Sequence, residues 1–168
     1  MVSRIIQVKT FDLIVFGATG DLALRKIFPA LFNRLVAKQM PEDAVVICVA
    51  RKKISLDHFK NLVKKAIFFN LKISQKNEKL VEKFLRCFEY ISMDVEVDNN
   101  WNNIRDLLRA NSVRAFYLSV APKLFNRIVY IISVMGLTTD ESRIVIEKPL
   151  GVDEKSAQDL NLKLGKFF

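Results

Sequence analysis

Four short stretches carry the residues whose types and spacing suit phosphate chemistry. Gly17-Ala18-Thr19-Gly20-Asp21-Leu22-Ala23 places two glycines three residues apart and another small residue three further on. Gly17 permits a turn too tight for a side chain, Gly20 lets backbone approach a diphosphate, and Ala23 lets the next helix pack close. Arg51 follows an apolar run, with Lys52 and Lys53 beside it and no carboxylate. A guanidinium there can hold a phosphate through two parallel hydrogen bonds, whereas a carboxylate would repel it. Ser119-Val120-Ala121-Pro122 and Glu147-Lys148-Pro149-Leu150-Gly151 each close a further apolar run. The Lys-Pro bond keeps Lys148 out of helical geometry and so holds its ammonium at the end of that run; a cis bond is compatible with this.

For these stretches to act together, the chain must bring them to one edge. Phe11 to Phe16 is almost continuously apolar, as a central parallel strand covered on both faces would be. From Asp21 to Lys38 apolar residues recur at three and four, which predicts a helix. Pro29 either kinks it or opens a second segment. Further strands are expected at Ala44–Ala50, Phe88–Met93, Val113–Val120 and Arg143–Glu147. Between them the periodicity predicts a helix capped by Ser55 or Asp57 and running to about Phe69, one around Leu80–Leu85, one over Asn100–Ala110, and one over Lys123–Met135 stopped by Gly136. A last helix begins at Asp153 or Ser156 and runs through Leu160, Leu162 and Leu164.

Strand and helix alternating five times imply an α/β fold: a doubly wound parallel sheet, Rossmann-like, with helices on both faces, right-handed crossovers and strand order 3-2-1-4-5. Ligands of such sheets bind at the carboxyl ends of the strands. The tip of the second strand meets the adenosine ribose, where an acid would take the 2′-hydroxyl of NAD and an arginine the 2′-phosphate of NADP. NADP is therefore the expected cofactor, with Arg51 as main anchor, Lys52 as helper and Lys53 as a surface lysine. A ligand-free strand-turn-helix corner has the same local glycine pattern; the flanking strand and helix are what favour the dinucleotide.

Composition bounds the alternatives. At 168 residues with 51% hydrophobic content, the chain can build one domain with its own core. The longest uncharged run, ending at Asp140, is far short of the roughly 20 residues of a membrane helix, and no signal peptide is recognisable, so a cytoplasmic protein is expected with no membrane partner. Cys48 and Cys87 offer neither a metal cluster nor a disulfide framework. The formal charge of +9 invites a nucleic-acid reading. Its excess, however, is scattered between Arg51 and Lys83 without interleaved aromatics, which describes a solvated basic face and no nucleic-acid partner. The single histidine, His58, falls in an early helical turn, away from the strand ends, and reads as a surface residue.

Taken in order and spacing, GATGDLA at 17–23, VAR at 49–51, YLSVAP at 117–122 and EKPLG at 147–151 resemble the N-terminal coenzyme domain of glucose-6-phosphate dehydrogenase. The resemblance covers nearly the whole chain. It implies that Gly17, Thr19, Gly20, Asp21 and Leu22 line the coenzyme diphosphate and that Arg51 takes the 2′-phosphate. Tyr117 to Pro122, including Ser119 and Ala121, would lie near the nicotinamide half, and Glu147 would also bind the coenzyme. Lys148 would contact both sugar and coenzyme. The implied reaction, in the oxidative pentose phosphate pathway, oxidises C1 of glucose 6-phosphate by hydride transfer to NADP⁺, giving 6-phosphogluconolactone. In the family the base is a histidine in a later RIDHYLGKE segment, which this sequence does not contain and which His58 does not match. Residues 1–168 are thus expected to form an NADP-binding domain incomplete at its C-terminal end, with the substrate domain absent. The expected consequences are inactivity alone, an exposed apolar surface near Leu162, Leu164, Phe167 and Phe168, and association with a separate C-terminal half or with a second copy. The alternative is a non-catalytic NADP(H)-binding or partner-docking module.

Overall fold

A computed structural model describes residues 8–70, 77–97, 100–150 and 153–167. Five parallel strands form one sheet in the order β3-β2-β1-β4-β5, as the alternation of elements predicts. They are β1 (Phe11–Phe16), β2 (Val45–Ala50), β3 (Phe88–Ser92), β4 (Val113–Leu118) and β5 (Arg143–Ile146). Each expected strand is found, β1 with the expected bounds and the other four trimmed by one or two residues. In register, β1 is flanked by β2 and β4, with Phe16 beside both Val49 and Leu118.

The central strands are continuous apolar runs because helices cover both of their faces. Packed on one face are α1 (Phe28–Val36), α2 (Leu56–Asn70) and α3 (Glu78–Leu85), which bury Phe28, Phe32, Phe59 and Phe84 around Phe88 of β3. The other face carries α4 (Asn102–Arg105), α5 (Phe125–Val134) and α6 (Glu154–Phe167), over Trp101, Phe116 and Ile128. Both clusters exclude water from large apolar side chains, the dominant favourable term in folding.

Four local outcomes differ from, or resolve, the sequence reading. Pro29 opens a second segment: residues Ala23–Ile27 form a π-helical turn, and α1 follows with Pro29 near its start. The wide turn removes the conflict between the proline ring and the carbonyl four residues back. Ser55 is the cap of α2, its Oγ accepting from the His58 amide at 3.2 Å. Expected over Asn100–Ala110, helix α4 is a single turn with Trp101 and Ile104 buried, while Leu107 and Leu108 are only partly so. The chain leaves the helical path because Arg109 must reach Asp12, to which it is bonded through both backbone and side chain. Finally, Leu160 of α6 is buried and Leu162 is 68% exposed.

The polar connection at 74–76, Gly151 of the last motif, and the side chains of Ser156, Phe167 and Phe168 lie outside the described residues. Among the described residues no helix is long and apolar enough to cross a membrane.

Candidate functional site

A cleft of about 710 Å³ opens at the carboxyl edge of the sheet, over the tips of β1, β2 and β4. That volume suits a small-molecule or cofactor site. Its floor is built by the glycine turn. Gly17 and Ala18 both donate to the Val49 carbonyl, at 2.9 and 3.1 Å, and Gly20 donates to the Gly17 carbonyl at 2.9 Å. Gly17 has φ +83°, and a Cβ placed there would lie 2.0 Å from the Ser119 carbonyl oxygen. Only glycine fits this crossing between β1 and the β4 tip. Ala23 is fully buried, as the close approach of helix to strand requires.

The structure gathers Gly17, Thr19, Gly20, Arg51, Lys52, Ser119 and Ala121 around the cleft. Arg51 and Lys52 are exposed at the β2 tip, and among the described residues neither pairs with a carboxylate. Lys123 also reaches the cleft, where its Nζ pairs with Glu96 at 3.0 Å. With Arg127, whose Nε donates to the Val95 carbonyl at 2.5 Å, this pair ties the loop after β3 to the start of α5 and forms one wall.

Other expected site residues stand outside that cleft. Asp21 is exposed and paired with Arg25 at 3.2 Å; Leu22 is half-buried. Pro122 opens the 3₁₀ turn that leads into α5 and so orients Lys123 and Leu124. Glu147 and Lys148 sit just past the β5 tip, one strand beyond β4, and the Lys148–Pro149 bond is cis. Glu147 accepts from the Tyr117 hydroxyl at 2.5 Å. Burial, together with the Glu147 carboxylate, pushes the Tyr117 phenol up to about 12. His58, in the first turn of α2, is exposed and does not line the cleft.

Met93, Val95, Glu96, Lys123 and Leu124 line the cleft without having been singled out in the sequence. They come from the loop after β3 and the turn after β4, so the strand order, read as a map of which loops share an edge, could have pointed to them. Among the described residues no group of three or more His, Cys, Asp or Glu could hold a metal ion. Burial pushes both the Cys48 and Cys87 thiols up, for Cys87 against the opposing pull of Lys83 and Lys60, so neither is an activated nucleophile.

The model of the family described as glucose-6-phosphate dehydrogenase, NAD binding domain, matches residues 14–168. The chain belongs to this family. A glucose-6-phosphate 1-dehydrogenase of Rhizobium meliloti (strain 1021) is 41% identical over 170 residues, covering 100% of this chain and 35% of the relative. That of Bacillus subtilis (strain 168) is 34% identical over 165 residues, covering 93% and 32%. Among solved structures, glucose-6-phosphate 1-dehydrogenase from Mycobacterium avium superposes with a TM-score of 0.84 at 27% identity, over 96% of this chain and 34% of that one. A glucose-6-phosphate dehydrogenase in complex with its substrate glucose-6-phosphate gives 0.81 at 26% identity, over 97% and 36%. The chain therefore spans about a third of the length of these relatives, and it carries their nicotinamide-dinucleotide-binding part.

Proposed function

We propose that this chain is the coenzyme-binding part of an NADP-dependent glucose-6-phosphate dehydrogenase, residues 1–168 forming one NADP-binding domain. The observation that carries the choice of NADP is the pair Arg51 and Lys52 at the β2 tip, cationic and without a carboxylate partner among the described residues. The donor set fits the group. Gly17, Ala18 and Gly20 use their amides to build the turn, leaving the diphosphate to Thr19 and to the helix opening at Asp21 and Leu22. Arg51 takes the 2′-phosphate with Lys52 beside it, and Ser119, Ala121, Pro122 and Glu147 stand toward the nicotinamide half.

Bound NADP⁺ supplies the hydride acceptor. The chain's own contribution to the chemistry is Lys148, whose ammonium would orient the anomeric hydroxyl of glucose 6-phosphate and favour the negative charge that develops as its proton leaves. The lactone is the product. Among the described residues the one carboxylate lining the cleft, Glu96, is held by Lys123, and no histidine lines it. We therefore propose that the 168 residues bind coenzyme without appreciable turnover, since a positioned base contributes on the order of 10²–10⁴ in rate. A cytoplasmic setting belongs to the same reading.

The test is calorimetric titration with NADP⁺ and NAD⁺, alongside NADPH production from glucose 6-phosphate. Tight NADP⁺ binding without turnover is expected. Turnover by the purified chain would overturn the inactivity, and absence of NADP⁺ binding would overturn the coenzyme assignment. Binding that stays uncoupled from turnover when the remainder of a relative is supplied would favour a non-catalytic NADP(H) module.

A further inference from the structure

We propose that Tyr90 is a positioning residue that sets the coenzyme selectivity of this site by fixing the turn that carries Arg51 and Lys52. The inference rests on the reading of Arg51 as the 2′-phosphate ligand. Arg51 and Lys52 sit on an exposed loop between β2 and α2, and ordering such backbone and long side chains on binding costs conformational entropy. A loop already held in its binding geometry avoids that cost when the ligand arrives.

Strand β3 and the residue that follows it hold this one at two points. The Met93 amide donates to the Ala50 carbonyl at 2.9 Å, and the Tyr90 hydroxyl donates to the Lys52 carbonyl at 2.5 Å. The peptide groups that bracket the Arg51-Lys52 pair, Ala50–Arg51 and Lys52–Lys53, are therefore both anchored to the neighbouring segment. The first anchor extends the sheet ladder and would exist with any side chains. The second depends on one phenol.

The position of that phenol is set by the core and not by the loop. Its ring stacks on Phe59 of α2, centroids 4.6 Å apart and planes 22° apart, and Phe59 is itself fully buried against Phe28 and Phe88. The far end of the loop is tied down by Ser55, whose carbonyl accepts from the Phe59 amide at 3.0 Å. Tyr90 does not line the cleft, so it acts through the Lys52 carbonyl and not by touching the coenzyme. Burial also raises its phenol, which keeps the hydroxyl a donor through neutral pH.

Tyr90→Phe keeps the ring stack and deletes only the anchor. Calorimetric titrations of this variant should show NADP⁺ and 2′,5′-ADP weakened about fivefold, the loss of one hydrogen bond, with NAD⁺ changed less than about twofold. Hydrogen exchange across residues 51–54 should quicken by a similar factor while melting stays close to that of the parent chain. Equal losses for NADP⁺ and NAD⁺, or no change for either, would overturn the proposal, as would unaltered exchange in the 51–54 segment. Arg51→Ala, run in parallel, separates the two levels. If it fails to discriminate NADP⁺ from NAD⁺, the 2′-phosphate reading has failed; if it discriminates and Tyr90→Phe does not, only the positioning role has.

Discussion

The two ends of β1 use the same kinds of charge to opposite ends. At its start, Asp12 is completely buried, and every contact it makes is a satisfied one. Arg109 donates to it from Nε at 2.8 Å, from its second guanidinium nitrogen at 2.6 Å and from its backbone amide at 2.9 Å, and the Ser112 hydroxyl completes the set. Arg109 also donates to the carbonyls of Phe11 and Asp43. Beside its other end, at the tip of the neighbouring β2, Arg51 and Lys52 face a cleft whose one carboxylate among the described residues, Glu96, is already paired with Lys123. A charge matched inside the chain locks the fold, whereas one left unmatched in a cleft is kept for a ligand.

The comparison breaks most visibly at Asp12. Asp12→Ala leaves a guanidinium, a hydroxyl and an amide aimed at an apolar methyl, and breaking a buried ion pair in this way costs about 3–5 kcal/mol. Urea denaturation should register that loss, while NADP⁺ affinity of the folded fraction stays near the parent value. Next in size is Gly17→Ala. It combines φ +83° with a Cβ 2.0 Å from the Ser119 carbonyl, so the tips of β1 and β4 must separate. A fall in stability of roughly 2 kcal/mol is expected from the strained backbone, together with loss of detectable coenzyme binding by calorimetry. One end of the strand thus yields a stability variant that still binds, and the other a variant that loses both.

Arg51→Ala sharpens the contrast, because it should do the reverse of Asp12→Ala. Removing a guanidinium from a phosphate costs about 1.5–3 kcal/mol, or roughly ten- to a hundredfold in NADP⁺ affinity, with NAD⁺ and the urea midpoint little changed. A large drop in stability would mean that Arg51 is a structural cation like Arg109.

What could be read from the sequence follows the same division. The strands, their order and the glycine turn were legible because each is written in contiguous residues with a period or a fixed spacing. The place of Arg51 at the β2 tip was legible for the same reason, since it stands at the end of an apolar run. Asp12 was not. Its partner lies 97 residues away, and an acid within an apolar run gives no hint of what will meet it. The short α4 has the same origin, because the apolar spacing of 100–110 speaks for a helix and only the distant Asp12 takes Arg109 out of it. The wall made by Glu96 and Lys123 was hidden because it arises from two loops brought together by the sheet.

Tyr117 tests the comparison most finely, since it lies at the functional edge yet is matched internally like the structural one. Its hydroxyl donates to Glu147 at 2.5 Å, next to Lys148, and its phenol is pushed from 10.0 up to about 12, first by burial and then by that carboxylate. Ionisation is harder in the folded chain than in the unfolded one, so the protonated phenol favours the fold. Its contribution is fully present below pH 10 and is lost as pH climbs through about 12. Spectroscopic titration of Tyr117→Phe should lack the late-ionising phenol, and the alkaline fall in stability between these two pH values should become shallower. Near neutral pH the variant should melt almost as the parent does, because a hydrogen bond to the exposed Glu147 carboxylate contributes at most about 1 kcal/mol. Coenzyme binding should change less than about threefold, since one hydrogen bond that merely orients Glu147 is at stake. A loss approaching that of Arg51→Ala would show that the Tyr117–Glu147 pair belongs to the coenzyme site itself and that internal matching does not by itself mark a structural group.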